Sequence, residues 1–106
     1  MKKLIRYREP LFAFLESIPK GRITTYAIAA RFIDLKNPRN IGWILRQNRD
    51  PDKIPCYKVI KSDGTLAKGY KFGGLEEQKK RLESERILFD SKGKVRNFKN
   101  LVFGNK

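Results

Sequence analysis

The sequence contains no histidine and only one cysteine, Cys56. It therefore lacks the commonest metal ligand and the one side chain whose unperturbed charge change falls near neutral pH. A single cysteine excludes an intrachain disulfide and a cysteine-built zinc site. Covalent chemistry is left to Cys56 or to an oxygen or lysine nucleophile. Long apolar runs are also missing. The N-terminal "MKKLIRYREP" has no apolar core of signal-peptide length, and no segment could span a bilayer. No membrane association is expected, and the chain is read as soluble and intracellular. Acidic residues are scarce: 11 Asp+Glu stand against 25 Lys+Arg, a formal net charge of +14. That excess points to a polyanion, most simply nucleic acid, with a basic surface lacking a dedicated partner as the alternative. No segment pairs a basic face with the strong apolar moment that an acidic lipid surface would call for.

What is present suffices for a globular fold. Residues 1–106 are read as one domain, with 40% hydrophobic and 11% aromatic residues. In "EPLFAFLESIP", Leu11, Phe12, Leu15 and Ile18 fall at helical spacing, and Pro19-Lys20-Gly21 ends the helix. "TTYAIAARFI" predicts a second helix capped by Thr24 or Thr25, with Ile28, Ala29 and Phe32 inward. "NPRNIGWILRQN" predicts a third, with Asn37 as N-cap, Pro38 at the first helical position and Ile41, Ile44 and Leu45 inward. The two short helices, the later one rich in arginine, suggest a helix-turn-helix. "YKVIKSDGTLAKGY" reads as a small hairpin turning at Asp63-Gly64. "GGLEEQKKRLESERILF" is a last amphipathic helix with Leu75, Leu82, Ile87 and Leu88 inward. The tail from Asp90 is either packed or frayed. The expected fold is mainly α: a winged-helix-like helix-turn-helix domain with a short β-hairpin and an added C-terminal helix.

Cys56 sits in "IPCYKVIKSDG". Free cysteine is among the most buried residue types, so inert packing and nucleophilic chemistry are both open from the residue alone. The surroundings decide. "IPKGRITTYAIAA", "NPRNIGWILRQN", "IPCYKVIKSDG" and "GYKFGGLEEQKKRLESE", in that order, resemble the DNA-binding domain of O6-alkylguanine-DNA alkyltransferases from about Leu11 to Glu85. The resemblance implies a base-flipping DNA repair protein. A flipped guanine enters a pocket, and a cysteine thiolate takes its O6-alkyl group in one irreversible turnover. Nothing regenerates the thioether, so no cofactor is implied. The implied partner is double-stranded DNA containing O6-alkylguanine. The implied setting is a cytoplasmic monomer at the nucleoid, or a nuclear one in a eukaryote.

Residue by residue, Cys56 matches the family nucleophile. Asn48 matches the asparagine that positions the backbone beside it, and would serve equally as a helix C-cap. Tyr26 matches the tyrosine whose hydroxyl points at the base; packing with a wet tip is the alternative. Arg39 matches the arginine that replaces the flipped base in the duplex, against an ordinary solvated arginine. Gly42 lacks a side chain where a groove wall would approach, although close helix packing explains it as well. Thr25 joins the DNA-binding set beside Tyr26. Lys58 occupies the basic position after the cysteine, to meet phosphate or stabilise negative charge. Glu85 matches the glutamate that closes the hydrogen-bond chain behind the nucleophile, against a surface carboxylate. Trp43 is assigned to packing.

Two departures stand out. The family's Pro-Cys-His-Arg is Pro-Cys-Tyr-Lys here, so Tyr57 occupies the place of the proton-relaying histidine. Its unperturbed pKa near 10 prevents the neutral phenol from acting as that base, leaving it to orient a water. The loop "LAKGYKFGG" is longer than the family pattern, with Lys71 and Phe72 where a small donor faces the base. Two rival readings remain open. One is an alkyltransferase-like protein that binds lesions without transfer; such proteins lack the cysteine. The other is a winged-helix nucleic-acid binder with an inert cysteine.

Overall fold

The fold follows from a computed structural model that describes residues 5–104; the start of the "MKKLIRYREP" stretch and residues 105–106 lie outside the described residues. Helix α1 (Arg8–Glu16) buries Leu11, Phe14 and Leu15, and Ile18 follows them into the core. Phe14 takes the inward place expected of Phe12, which packs only partly against the core. A two-residue strand, β1 (Thr24–Thr25), runs straight into α2 (Tyr26–Phe32). Thr25 has extended backbone and its Oγ1 accepts the Ile28 N–H at 3.1 Å, which satisfies one free donor of the first turn. Helix α2 buries Ile28, Ala29 and Ala30. Phe32, expected inward, is 56% exposed. It lies at the end of a two-turn helix and stacks on Phe14 with centroids 4.3 Å apart, so it covers the core from outside.

Helix α3 (Arg39–Leu45) begins at Pro38, whose φ of −58° already suits a helix. Asn37 Oδ1 accepts the Arg39 N–H at 3.0 Å, so the expected cap is made. Ile41 and Ile44 are fully buried, while Leu45 is only partly so. Helices α2 and α3 form the helix-turn-helix pair, and with α1 they enclose one apolar cluster that includes Cys56 and Val59.

The chain then makes a 3-10 turn (Cys56–Lys58) and enters β2 (Val59–Ile60). Here the expected hairpin is corrected. β2 pairs in parallel with β1, Thr24 opposite Val59 and Thr25 opposite Ile60. The turn at Asp63-Gly64 does form, closed by Lys61 N–H to Thr65 O and Gly64 N–H to Lys61 O. Beyond it, however, Thr65 bridges Lys94 rather than extending a ladder. The cause is burial: Val59 and Ile60 are 1% and 0% exposed, and an apolar strand buried on both faces suits a covered parallel partner.

Helix α4 (Gly74–Ser84) follows a loop ending in Gly73, and Gly73 and the first helical residue Gly74 are both at positive φ (116° and 78°). Leu82 and Ile87 are buried as expected, but Leu75 and Leu88 are exposed. Gln78 takes an inward place instead, because its Nε2 donates to Tyr57 O (2.9 Å) and Val59 O (3.4 Å). The tail is packed, ending in the short α5 (Phe98–Leu101). Arg22 donates to Leu101 O and Val102 O, each at 2.9 Å, and Thr24 Oγ1 donates to Phe103 O at 3.0 Å. A second apolar cluster of Ile23, Ile60, Leu82, Ile87 and Val95 results. Its neighbour relation to the first matters: Cys56 belongs to one cluster and the Tyr57 ring packs on the other.

Candidate active site

Cys56 lies at the first position of the 3-10 turn, within the first apolar cluster, and is 4% exposed. Its N–H donates to Ile54 O at 2.7 Å, and the Lys58 N–H reaches back to Pro55 O at 3.0 Å. The rest of its setting comes from Asn48, just past α3 and 1% exposed. Asn48 Nδ2 donates both to Ile54 O (2.8 Å) and to Cys56 Sγ (3.2 Å). Its Oδ1 accepts the Asp50 N–H at 3.0 Å. One amide thus fixes the backbone before the cysteine and contacts the sulfur. Asn48 N–H also bonds Leu45 O at the end of α3, so the helix-ending role coexists with the positioning one.

The sulfur faces a pocket of about 110 Å³ lined by Tyr26, Gly42, Arg46, Cys56, Tyr70 and Gln78, with the 67–71 loop closing one side. Among the described residues three cations line it, Arg46, Lys68 and Lys71, and no carboxylate does. A Cβ added at Gly42 would meet nothing within 4 Å, so helix packing does not explain this glycine. It keeps one wall of the pocket open. The loop is fastened to α3 by Lys71, whose Nζ donates to Arg46 O (2.8 Å) and Asn48 O (3.0 Å). Arg39 is exposed in the first turn of α3, outside the pocket, and makes no ion pair among the described residues.

Behind the cysteine lies a compact polar node. The Tyr57 hydroxyl donates to Glu85 Oε2 at 2.5 Å. Glu85 Oε1 accepts from Lys58 Nζ (2.7 Å) and from the Gly21 N–H (2.9 Å), while Lys58 also donates to Pro19 O (2.9 Å). Lys58 is 3% exposed, which corrects its placement at a DNA phosphate: the ammonium points inward and is consumed by Glu85 and Pro19. Thr25 is corrected likewise. It is 3% exposed, and its Oγ1 accepts the Ile28 N–H as the cap of α2, which turns the side chain into the fold rather than toward DNA. Glu85 is no surface carboxylate, its side chain being 10% exposed.

The electrostatics follow from burial and these donors. Burial pushes the Cys56 thiol above its usual value, opposed by hydrogen bonding from Asn48 and by the nearby Tyr70 hydroxyl and Arg81 charge. Burial also raises the Tyr26 phenol, reinforced by Cys56. Tyr57 is raised by burial and by donating to Glu85, so it remains a protonated donor. Burial pulls Glu85 upward, but Lys58, Tyr57 and the Gly21 N–H together hold it below the ordinary carboxylate value. Among the described residues, no three Cys, Asp or Glu side chains cluster as metal ligands would.

The structure therefore brings Cys56, Tyr26 and Gly42 to one pocket, with Asn48 bonded to the sulfur, sets Tyr57, Lys58 and Glu85 behind it, and leaves Arg39 outside. Sequence reasoning missed Gln78, Tyr70 and Arg46. Arg46 had a legible signal, lying one turn after Gly42 on the same helix face. Gln78 and Tyr70 had none, because their roles depend on where the long loop lands.

Known proteins resemble this arrangement closely. The family model described as "6-O-methylguanine DNA methyltransferase, DNA binding domain" matches residues 6–87. A "Bifunctional methyltransferase/endonuclease" of Picrophilus torridus is 44% identical over 78 residues, covering 73% of this chain and 26% of that protein. A "Methylated-DNA--protein-cysteine methyltransferase" of Pyrobaculum aerophilum is 41% identical over 75 residues, 71% of this chain and 49% of its own length. The chain thus spans half or less of these two relatives. The crystal structure of Schizosaccharomyces pombe Atl1 with damaged DNA containing O6-carboxymethylguanine superposes with a TM-score of 0.78 at 25% identity, covering 93% of this chain and 95% of that one. The family match over residues 6–87, most of the chain, shows that the chain belongs to the 6-O-methylguanine DNA methyltransferase DNA-binding-domain family.

Proposed function

We propose that this protein binds double-stranded DNA carrying O6-alkylguanine, takes the flipped base into the pocket beside Cys56, and transfers the alkyl group to Sγ once. The observation that carries this reading is the placement of Cys56 Sγ, held by Asn48 at 3.2 Å, in an open-walled pocket beside Gly42 and Tyr26. A merely structural cysteine needs neither the pocket nor the open wall.

The chemistry needs three things. The reacting carbon is hidden in the base stack, so the nucleotide must leave the duplex at a cost of a few kcal/mol. In this reading Arg39, exposed at the start of α3, occupies the gap, and the net charge of +14 supplies phosphate attraction. The nucleophile must then be a thiolate, which forms as Sγ–H gives its proton to water. Finally, the sulfur lone pair bonds to the alkyl carbon as the C–O6 bond breaks, and that bond's electron pair passes to guanine. The base takes one proton, replacing the one released by the thiol, and leaves as ordinary guanine. Charge developing on it is met by donors in the pocket, with the Tyr26 hydroxyl the foremost candidate.

A second reading, lesion binding without transfer, is favoured by the extent of the match to the Atl1 complex. Binding titrations with duplexes that differ only in one O6-methylguanine, run on wild type and Cys56→Ser, test the proposal. Both proteins should prefer the lesion, and peptide mapping should find a methylated Cys56 in wild type alone. No preference for the lesion would overturn both readings, and preference without an adduct would leave only the second.

A further inference from the structure

We propose that the Tyr70 hydroxyl is a positioning group for the Cys56 nucleophile, donating a hydrogen bond to the sulfur once the thiolate has formed. The inference rests on reading Cys56 as the reactive group. It starts from what Tyr57 cannot do. The Tyr57 hydroxyl is committed to Glu85 at 2.5 Å, and the other Glu85 oxygen is filled by Lys58 and Gly21. Among the described residues, no hydrogen bond joins this node to the sulfur. A residue in the place of the family's histidine therefore serves the fold behind the cysteine rather than the cysteine itself.

Tyr70 stands on the other side. Its hydroxyl oxygen is buried and has no well-formed hydrogen-bond partner among the described residues, and its side chain lines the same pocket as Cys56, close enough for each group to bear on the other. A buried hydroxyl without a partner is uncommon and asks for an explanation. It is also held there deliberately. The Tyr70 carbonyl accepts the Gly74 N–H at 2.9 Å, its ring meets Phe72 edge-on at 5.9 Å, and Lys71 ties the loop to α3. The neutral thiol is a poor acceptor, and the hydroxyl makes no well-formed bond to it. A thiolate is a good acceptor, so ionisation gives the orphaned donor its partner. Both groups feel each other: the thiol is eased downward by Tyr70, and the phenol is raised first by burial and then by the sulfur. The phenol thus stays protonated at neutral pH and acts as donor, never as base. The thiol proton goes to water at the pocket mouth, and the Tyr70 O–H bond stays intact.

Other groups face the sulfur as well. Asn48 donates to it from the end of α3, and Arg81 on α4 favours the anion. Tyr26 approaches from α2, and Glu77 on α4 bears on Tyr70 rather than on Cys56. Of these, only Arg81 also has a buried donor without a hydrogen-bond partner, its Nε, and that nitrogen is turned to Glu77 Oε2 at 3.4 Å in an ion pair.

The test is the pH dependence of Cys56 alkylation by iodoacetamide, which reads the thiol without DNA. Over about pH 6 to 11.5, Tyr70→Phe should move the midpoint up by about one unit, a roughly tenfold loss of thiolate at neutral pH, while Tyr57→Phe should leave it in place. Phe keeps the ring packed on Phe72, and thermal melting checks that the fold is intact. As a second variant, 3-fluorotyrosine at position 70 is a stronger donor and should move the midpoint down. Unchanged midpoints in both variants, or an equal shift in Tyr57→Phe, would overturn the proposal. Because no lesion is involved, a failure of methyl transfer from DNA would leave the expected shift intact, so the two readings fail separately.

Discussion

The Tyr57 hydroxyl donates to Glu85 Oε2 at 2.5 Å and makes no hydrogen bond to the adjoining Cys56 among the described residues. Neighbours in sequence thus belong to different networks, one structural and one facing the pocket. Tyr57→Phe should lower stability by about 1.5–3 kcal/mol, the usual worth of a hydrogen bond to a charged group. Per folded molecule, however, single-turnover transfer should stay within about threefold of wild type. In both proteins the rate should climb with pH beyond the usual thiol range, since burial raises the Cys56 thiol. Quenched-flow rates between about pH 5.5 and 10.5 check this. A loss as complete as that of Cys56→Ser would make the phenol a relay member after all.

The ion pair behind the site gives a stability prediction with a definite sign. Glu85 is held below its ordinary pKa in the folded protein, after burial and its three donors are weighed. Its contribution is therefore fully present above the unfolded value of about 4.5 and is lost as pH falls through the lower folded value. Glu85→Gln should leave the buried Lys58 ammonium unpaired and cost about 3 kcal/mol at neutral pH. The deficit relative to wild type should shrink as acid protonates the wild-type carboxyl. Urea melts at neutral and acid pH measure both. A deficit independent of pH would contradict the ionised pair.

Gly42 separates fold from function. Nothing lies within 4 Å of an added Cβ, and the residue is inside α3. Gly42→Ala should therefore stabilise the protein by about 0.5–1 kcal/mol through helix propensity. The same change should slow base capture, and Gly42→Leu should abolish it by filling the pocket. Thermal melts read the first effect and adduct formation from O6-benzylguanine reads the second. If Gly42→Leu still forms adduct at the wild-type rate, the base does not enter beside this wall.

Much of this was legible in the residues. Asn37, Pro38 and Thr25 announced their helix starts, and the family resemblance implied the pairing of Asn48 with Cys56; the chain it implied from Cys56 to Glu85 stops at Tyr57 among the described residues. What could not be read were choices made by long-range packing. Val59 and Ile60 suit a hairpin or a parallel pair equally well, and only Thr24–Thr25 decides between them. Lys58 looks like a surface cation until Glu85 and Pro19 O are brought to it. Gln78 displaced Leu75 from the inner face because two backbone carbonyls, Tyr57 O and Val59 O, needed a donor.

Arg39 should act on extrusion and not on the chemical step. It is exposed, unpaired among the described residues and outside the pocket. Arg39→Ala should slow transfer from duplex DNA by about tenfold or more while leaving attack on free O6-benzylguanine nearly unchanged. Lys58→Met, by contrast, should not flatten the salt dependence of DNA binding, because its ammonium faces Glu85. Equal losses on both substrates for Arg39→Ala would remove it from the extrusion step.

Intact-mass measurement of the protein after incubation with duplex DNA containing one O6-methylguanine tests transfer to Cys56 most directly. The expected result is a gain of a single methyl group per molecule, saturating at one equivalent of lesion and absent in Cys56→Ser. An unchanged mass, under conditions where the lesion duplex is fully bound, would contradict transfer and leave a protein that recognises the lesion without repairing it.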